Sequence, residues 1–393
     1  MPGRSASLSL NLLSLSYFAM GTAALAVVGT LPGIAATMGL GEGAVAFLVS
    51  VFAVTFAIGA PALQILVGHW PRKRLVVIGL VLLAAGSFVT ALAPSYPVLV
   101  AARILAALGA AAIGPVASAL GSSLVPAERQ GHALAVVFSG MTIATVLGVP
   151  LSAWAGHAIG WRATFGLIGI AVMVFALLVA AFVRNTGPGQ PVRLSHLVDV
   201  LIHPATGAGI AVMALEMAGV FASYTMITPM LGQRFGAGPV AISLVLLIYG
   251  TAGVLGNVLV RRIAKALTAD RAVRGALGGL TAMFAGLALI PAKLPLAVLL
   301  LIFWAMASDI FMPSQQRRMV ELAPEVRGLV LALNSSAIYI GMAVGAFAAG
   351  SFLPLTGLQG LPLVSVALLV LALAALARSR RAAARGARLS PAI

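Results

Sequence analysis

Long apolar runs alternate with short polar breaks along almost the whole chain. A run of about 18 apolar residues or more is long enough to cross a bilayer as a helix. Twelve such runs occur, at about residues 9–38, 44–67, 75–93, 97–124, 133–156, 162–183, 205–231, 240–260, 275–292, 296–314, 328–352 and 361–377. They lack the apolar and polar alternation of a membrane β-barrel. The runs therefore predict twelve transmembrane helices, which satisfy their own backbone hydrogen bonds in hydrocarbon.

The composition agrees with a membrane protein. The chain has 393 residues, of which 61% are hydrophobic and 8% are charged, whereas soluble chains carry about 25% charged residues. The first apolar stretch, from about residue 8 to 40, is too long for the roughly 7–15-residue core of a cleaved signal peptide. There is no cysteine, which excludes disulfides and thiolate metal sites.

The basic residues predict the orientation of the helices. The net charge is +16 and the chain holds 24 Lys and Arg residues. With the N-terminus inside, 20 of them lie in inside segments, and only Arg162, Arg234 and Lys293 lie in outside loops. Inside loops carry the excess of basic residues in membrane proteins. Both termini are therefore expected in the cytoplasm, and the positive charge indicates topology rather than nucleic-acid binding.

Two halves of the chain resemble each other. The longest internal break, 184–204, contains Gly, Pro and charged residues and separates the first six runs from the last six. Pro126 and Pro324, which precede the fifth and eleventh runs, are 198 positions apart, and Gly148 and Gly345 are 197 apart. A repeat of this length in one membrane orientation predicts two six-helix bundles related by an axis along the membrane normal.

These features divide the chain into four segments. We expect an N-terminal bundle over 1–183, a cytoplasmic linker over 184–204, a C-terminal bundle over 205–377 and a basic cytoplasmic tail over 378–393. The predicted fold is an all-α membrane protein of two pseudo-symmetric six-helix bundles.

Six segments carry a resemblance to a known family. They are GHWPRKRLVVIG at 68–79, VAARILAALGAA at 100–111, SGMTIATVLGVPLSAWAG at 139–156, GWRATF at 160–165, GVLGNVLVRR at 253–262 and LNSSAIYIGMAVGAFAAG at 333–350. With them the chain resembles the twelve-helix drug:H⁺ antiporter branch of the major facilitator superfamily, and it is similar to bacterial sugar-efflux and chloramphenicol-efflux proteins. It departs from that pattern in three places, one of which is the fourth span, where Ala106 and Ala107 stand in place of the usual Gln and first Gly. Gly68 stands where the basic loop usually has Asp, and the first run has no acid after Gly21-Thr22.

Only two of the eight acidic residues fall inside predicted spans. Glu216 lies eleven residues after Ala205, about 16 Å along a helix, near the middle of a hydrocarbon core roughly 30 Å thick. Asp309 lies about 20 Å into the tenth span. A charge at mid-membrane costs about 2.5–3.5 kcal/mol. We therefore predict that Glu216 or Asp309 couples proton movement, the other contacting substrate or pairing with Arg103. The alternative is a structural role for both, with hydrogen bonds between helices.

The family resemblance implies a central cavity lined by the first, fourth, seventh and tenth helices. It therefore places Arg103, Glu216 and Asp309 on cavity helices. For Arg103 the alternative is a side chain that snorkels to the membrane interface. For the polar and aromatic candidates named next, the alternative is packing between helices. The predicted substrate-binding residues are Thr22, Arg103, Tyr224, Trp304, Asn334 and Tyr339.

Five further residues are candidates for gating. Small residues let helices approach closely in lipid. A contact of the glycine-rich fifth helix with the eighth, or of the eleventh with the second, is therefore expected to seal one face and slide open. The alternative is tight packing without gating. The basic loop after the second helix is expected to help control the conformational change, as the resemblance implies. The predicted gating residues are Arg72, Lys73, Arg74, Gly148 and Pro150.

The remaining motifs narrow the function. No nucleotide-binding P-loop, zincin motif or serine elbow occurs, so neither an enzyme nor a cofactor or metal is predicted. The sequence predicts a secondary active transporter of the inner membrane, working as a monomer by the resemblance. It would export a small organic molecule, such as a drug or sugar, in exchange for protons by alternating access. The alternative is an uncoupled facilitator or an importer, which the missing acid in the first span favours.

Overall fold

Helices make up almost all of the chain. The computed structural model describes residues 4–184 and 200–389, so most of the predicted linker (185–199) and the end of the tail (390–393) lie outside the described residues. The first six helices are α1 Arg4–Met38, α2 Glu42–Val67, α3 Arg72–Leu92, α4 Tyr96–Ser123, α5 Gln130–Ala158 and α6 Trp161–Phe182. The next four are α7 Pro204–Tyr224, α8 Pro239–Ala266, α9 Ala269–Leu289 and α10 Leu294–Leu322. The final two, α11 and α12, share one helical stretch, Arg327–Leu389, and lie before and after Gly357.

The predicted all-α membrane fold is confirmed. Within the described ranges, eleven helical stretches are long and apolar enough to cross a membrane, with mean hydropathy between 1.5 and 2.8, and the last of them contains both α11 and α12. Every predicted span coincides with one of the twelve helices to within several residues. The agreement follows because an apolar segment in lipid has no solvent for its backbone groups and must form a helix.

Two predicted spans differ in detail from the structure. The seventh was expected to reach residue 231, but α7 ends at Tyr224 and is followed by a short turn at Ile227–Pro229 and a π-helical turn at Met230–Arg234. Pro229 has no N–H, so it cannot bond the Thr225 carbonyl one turn earlier. The break predicted before the twelfth span is a kink at Gly357, whose φ of 62° favours glycine.

The chain divides into two compact units. Unit 1 comprises Met1–Val192 and Gly238–Leu247, and unit 2 comprises Arg193–Ala237 and Ile248–Ile393. In unit 1, α1 packs against α2, α4, α5 and α6, while α3 packs against α4 and α6. In unit 2, α7 and α9 both pack against the α11–α12 stretch, and α9 also packs against α10. The most deeply placed helix of unit 1 is α1, which is almost wholly buried.

Glycines allow α5 to lie directly against α1. A Cβ at Gly140, Gly148 or Gly156 would collide with α1, so only glycine permits this distance. The α1 residues that these glycines meet are Ser14, Thr22 and Thr30 respectively. The expected contact of the fifth helix with the eighth stays a prediction. Within unit 1, Gly140, Gly148 and Gly156 form one face of α5, and that face packs against α1.

The same type of contact recurs in unit 2. A Cβ at Gly341 would overlap the Ala214 carbonyl oxygen of α7, and one at Gly345 would overlap that of Ala218. Gly345 is 197 positions after Gly148, the offset seen in the sequence. Each of these helices also follows a short 3-10 turn, at Ala127–Arg129 before α5 and at Pro324–Val326 before α11. The internal repeat therefore corresponds to two equivalent helix pairs, α1 with α5 in unit 1 and α7 with α11 in unit 2.

Both arginines of the predicted outside loops cap helices. The Arg162 Nη2 donates to the Ala93 carbonyl at the end of α3, at 2.8 Å. Arg234 donates from its guanidinium to the carbonyls of Leu287, Ala288 and Ile290 at the end of α9. The last carbonyls of a helix lack partners within the helix and carry partial negative charge. The two arginines therefore stabilise the ends of these helices, while their position outside the membrane stays a prediction.

Candidate functional site

The carboxyl group of Glu216 is fully buried in unit 2. Glu216 lies in the middle of α7, where its side chain is 0% exposed. Neither carboxyl oxygen has a hydrogen-bond partner among the described residues. A buried polar group without a hydrogen bond is destabilising, and a buried charge more so. A residue in this environment needs a function that compensates for its cost.

Asp309 of α10 lies beside it in the folded unit. Its side chain is partly exposed, and its carboxylate rests against Gly253 of α8, where a Cβ would overlap Asp309 Oδ2. The Glu216 and Asp309 carboxylates are close enough for their charges to repel each other. The structure thus brings together the two acids that the sequence singled out separately. It also adds Gly253, whose role the sequence did not indicate.

Aromatic side chains from four helices contact one another in the same unit, and Tyr249 links them to the two acids. The rings of Tyr224 (α7), Tyr249 (α8), Trp304 (α10) and Phe284 (α9) form one cluster, with Tyr249 and Trp304 centroids 5.4 Å apart and Phe284 and Trp304 centroids 4.5 Å apart. Tyr249 interacts electrostatically with both carboxylates. The predicted residues Tyr224 and Trp304 therefore meet. Tyr249 and Phe284 were not predicted, because an aromatic residue in an apolar run gives no signal of its neighbours.

Further polar atoms without partners lie on α10 near these rings. The Trp304 Nε1 and the Ser308 Oγ, one helical turn apart, have no hydrogen-bond partner in the part of the chain that is described. Together with Glu216, they are a donor, a hydroxyl and a carboxyl group whose hydrogen bonds are unmet in the described chain. We call the set Glu216, Asp309, Tyr224, Tyr249 and Trp304 the acid–aromatic cluster.

The two predicted residues of α11 show different environments. Asn334 is 0% exposed, and both polar atoms of its carboxamide lack partners within the described ranges. Tyr339, five residues later, is partly exposed. The role of both residues in substrate binding stays a prediction.

In unit 1, the guanidinium of Arg103 is bound by backbone carbonyls. Arg103 of α4 is 1% exposed. Its Nη1 and Nη2 donate to the Ala23 and Ala24 carbonyls of α1 at 2.8 Å, and its Nε donates to the Leu48 carbonyl of α2 at 3.4 Å. The guanidinium also lies over the Phe52 ring, 4.4 Å from its centroid. This geometry joins three helices, and a role of Arg103 in substrate binding stays a prediction.

We expect Arg103→Lys to lower the free energy of unfolding by about 2 kcal/mol or more, because lysine lacks the planar fork that reaches two helices and would keep a poorly bonded charge buried. Arg103→Met should lie within about 1 kcal/mol of wild type, since it removes the buried charge together with its donors. The measurement is the thermal unfolding midpoint of each variant in detergent. A lysine variant as stable as wild type would contradict the bonding described here.

The predicted gating residues lie at two places in unit 1. At the start of α3, the Arg72 Nη1 lies 3.5 Å from the Ala119 carbonyl of α4 and the Arg74 guanidinium lies 4.8 Å from the centroid of the Trp70 ring, with Lys73 between them. Gly148 ends a π-helical turn of α5 and contacts Thr22 of α1, and Pro150 follows it. Thr22 thus lies at the packed α1–α5 contact.

Comparisons with known proteins agree with this architecture. The family model described as Major Facilitator Superfamily matches residues 13–346 and 209–391. The inner membrane transport protein YdhP of Escherichia coli (strain K12) is 30% identical over 373 residues, which covers 90% of this chain and 94% of that protein. The chloramphenicol efflux pump MT0201 of Mycobacterium tuberculosis is 32% identical over 285 residues, covering 70% and 67%.

Among solved structures, a bacterial homologue of the human lysosomal transporter Spinster, in an inward-facing and unoccupied conformation, superposes with a TM-score of 0.78. It covers 100% of both chains at 16% sequence identity. At that identity the likeness concerns the fold.

Proposed function

Since this chain belongs to the major facilitator superfamily, we propose that it is a proton-coupled exporter of a small organic molecule. The chain is a multi-pass membrane protein and a secondary transporter rather than an enzyme. Proton coupling, export and the class of substrate are the proposed parts. We further propose that the predicted bundles, 1–183 and 205–377, work by alternating access.

The environment of Glu216 carries the proposal. An ionised carboxyl near mid-membrane costs about 2.5–3.5 kcal/mol, and the neutral acid costs less. Glu216 is fully buried without a hydrogen-bond partner in the described chain, so the binding and release of a proton change its energy strongly. A group of this kind suits a transporter in which access to the two sides of the membrane alternates.

Asp309 complements Glu216 in this proposal. It is partly exposed, so it can exchange a proton with water more readily than Glu216 can. Two neighbouring carboxyl groups resist being charged together, and protonation of one therefore changes the other. We propose that Asp309 passes the proton to and from Glu216.

The aromatic part of the cluster is proposed to contact the substrate. Flat aromatic rings bind apolar and aromatic molecules, and a Trp N–H adds a hydrogen-bond donor. One relative is named a chloramphenicol efflux pump, and chloramphenicol is a neutral aromatic compound with several hydrogen-bonding groups. It is therefore our first probe, and sugars form the second arm of the panel.

The test is transport by purified protein in proteoliposomes. One pH unit is equivalent to about 1.36 kcal/mol. A one-for-one exchange of a neutral substrate for a proton therefore supports up to about tenfold accumulation in vesicles one pH unit more acidic inside. We expect labelled chloramphenicol or a sugar to accumulate in such vesicles and to be lost when a protonophore collapses the gradient.

An uncoupled facilitator is the alternative, favoured by the lack of any acidic residue in α1. It would bring the probe only to equal concentrations on both sides, at the same rate with and without a pH gradient. That result would remove proton coupling from the proposal and leave the transporter assignment in place.

A further inference from the structure

One side of α12 points away from the other helices of unit 2. Residues three or four positions apart lie on the same side of a helix. The side that packs inward has buried residues at this spacing, namely Leu361, Ser365, Leu369, Ala372, Leu376 and Ser379. The opposite side has exposed residues at the same spacing, beginning with Leu363, Ala367, Val370 and Ala374 and continuing with Arg378, Arg381 and Arg385. We call these seven exposed residues the outer face of α12.

The outer face changes from apolar residues to arginines at a single point. Its apolar part ends at Ala374, and every later member from Arg378 to Arg385 is an arginine. Apolar residues on the outside of a membrane helix face hydrocarbon, so this face meets the headgroup layer where the arginines begin. The arginines extend over about 10 Å of helix, and the headgroup layer of each leaflet is roughly 5–8 Å thick. The three arginines therefore lie at the depth of the lipid headgroups.

The neighbouring Arg380 has a different environment, which fixes the rotation of α12 about its own axis. Its Nε lies 3.5 Å from Oδ2 of Asp270 on α9. The Arg318 Nε of α10 donates to Asp270 Oδ1 at 2.6 Å, and its Nη2 donates to the Ser379 Oγ of α12 at 2.8 Å. These contacts join α12 to α9 and α10 on its inward side. The outer face is therefore turned away from the carboxylate of Asp270.

The arginines of the outer face have no acidic neighbour along their own helix. The sequence contains no Asp or Glu from Gly357 to residue 393. In the described part of this end of the unit, the ion pairs involve Arg317, Arg318 and Arg380 instead. Like charges one helical turn apart repel each other, and anionic groups from outside the chain offset that repulsion. The planar guanidinium is well suited to such groups, because it binds phosphate through two parallel hydrogen bonds.

We infer that the arginines of the outer face bind the headgroups of anionic phospholipids in the leaflet at the C-terminal end of α12. A zwitterionic phospholipid also offers a phosphate, but its own cationic group cancels most of the attraction. Each basic residue near an anionic membrane surface strengthens binding by about fivefold. The alternative is an arginine face that is only solvated. The inference concerns lipid binding in the absence of any gradient, so it does not depend on the proposed transport function.

The test measures which lipids surround the outer face, and it uses the absence of cysteine from the chain. In the full-length protein, Ala374→Cys carries a small fluorophore one helical turn before Arg378, on the same exposed face. Phosphatidylcholine nanodiscs contain a small fraction of either phosphatidylglycerol or phosphatidylcholine with a nitroxide quencher on the acyl chain near the headgroup. We expect phosphatidylglycerol to be enriched about fivefold or more beside the fluorophore. The stronger quenching should fall at high salt, because salt screens the attraction.

Two adjacent arginines on different sides of α12 provide a matched pair of variants. Arg381→Gln should lower the preference for phosphatidylglycerol by up to about fivefold. Arg380→Gln removes the same charge from beside Asp270 and should leave the preference nearly unchanged. The triple variant Arg378→Gln, Arg381→Gln and Arg385→Gln should abolish the preference, and lysine at the same three positions should retain most of it.

A second label position controls for general differences between the two lipids. Leu355 is 80% exposed and lies in a segment, 328–377, that contains no charged residue. A fluorophore on Leu355→Cys should therefore be quenched equally by the two lipids.

Two results would overturn the inference. Equal quenching by the two lipids at position 374 would show that the arginine face is solvated and holds no anionic lipid. A preference that survives the triple glutamine variant, or that Arg380→Gln and Arg381→Gln lower alike, would assign the lipid to the general positive charge of this end of the unit rather than to the outer face.

Discussion

Glu216→Gln is expected to abolish accumulation of the probe against its gradient in proteoliposomes while leaving the protein folded. Glutamine has nearly the shape of glutamate and stays neutral, so the variant resembles a transporter that is permanently protonated at this position. At a membrane potential of 100 mV, one proton provides about 2.3 kcal/mol, which supports up to roughly a fifty-fold gradient of a neutral substrate. The variant should fall to equal concentrations on both sides.

A second measurement separates proton coupling from substrate binding. Exchange of labelled for unlabelled probe across the membrane, with no gradient, requires binding and the conformational change but no net proton transfer. Glu216→Gln should retain this exchange if Glu216 carries the proton. Loss of exchange in a variant that remains folded would show that Glu216 binds substrate instead.

The matched control is Glu321→Gln in the same unit. Glu321 is exposed and forms a surface ion pair with Arg317 at 2.7 Å, and such pairs contribute little to stability. This variant should transport like wild type. If Glu216→Gln also transports like wild type, the carboxyl of Glu216 is not the coupling group.

Asp309→Asn should impair accumulation as well, because Asp309 is the partly exposed member of the pair. If Asp309 only passes the proton to Glu216, water that reaches Glu216 can take over this transfer slowly. The variant should then accumulate the probe at a reduced rate rather than lose accumulation completely. A variant with normal accumulation would limit the coupling role to Glu216.

The helices and the two acids could be predicted from the sequence, because both rest on local properties. An apolar run in lipid has one favourable backbone conformation, and an acid within such a run is conspicuous whatever surrounds it. The neighbourhood of Glu216 and Asp309 could not be predicted, since it depends on how α7, α8 and α10 pack. Gly253 and Tyr249, which contact or interact with Asp309, had no local signal.

The groups that contact Arg103 and the α5 glycines could not be predicted from the sequence for a related reason. Arg103 donates to backbone carbonyls, which every residue possesses, so no side chain in the sequence marks its acceptors. The glycine pattern of α5 identifies a close-packed face but not the helix that packs on it. The structure shows that α1 packs on this face, while the expected contact of the fifth helix with the eighth stays a prediction.

Replacing a glycine of these close contacts by alanine should have the largest effect on stability. A Cβ at Gly140 would overlap the Ser14 carbonyl oxygen of α1, and one at Gly341 would overlap that of Ala214 in α7. The obstacle in both cases is backbone, which cannot rotate away as a side chain can. We expect Gly140→Ala and Gly341→Ala each to lower the free energy of unfolding by about 3 kcal/mol, which corresponds to a fall of roughly 6–12 °C in the unfolding midpoint.

Gly278 provides the control, because it lies in the middle of α9, is exposed and has nothing within 4 Å of the position of a Cβ. Gly278→Ala should leave the midpoint unchanged or raise it slightly, since alanine is the better helix former by about 1 kcal/mol. The comparison separates close packing from helix propensity, which favours alanine at all three positions. If the Gly140 and Gly341 variants were as stable as the Gly278 variant, α1 and α7 could move away from their partners without cost, and the glycine contacts would not determine the spacing of these helices.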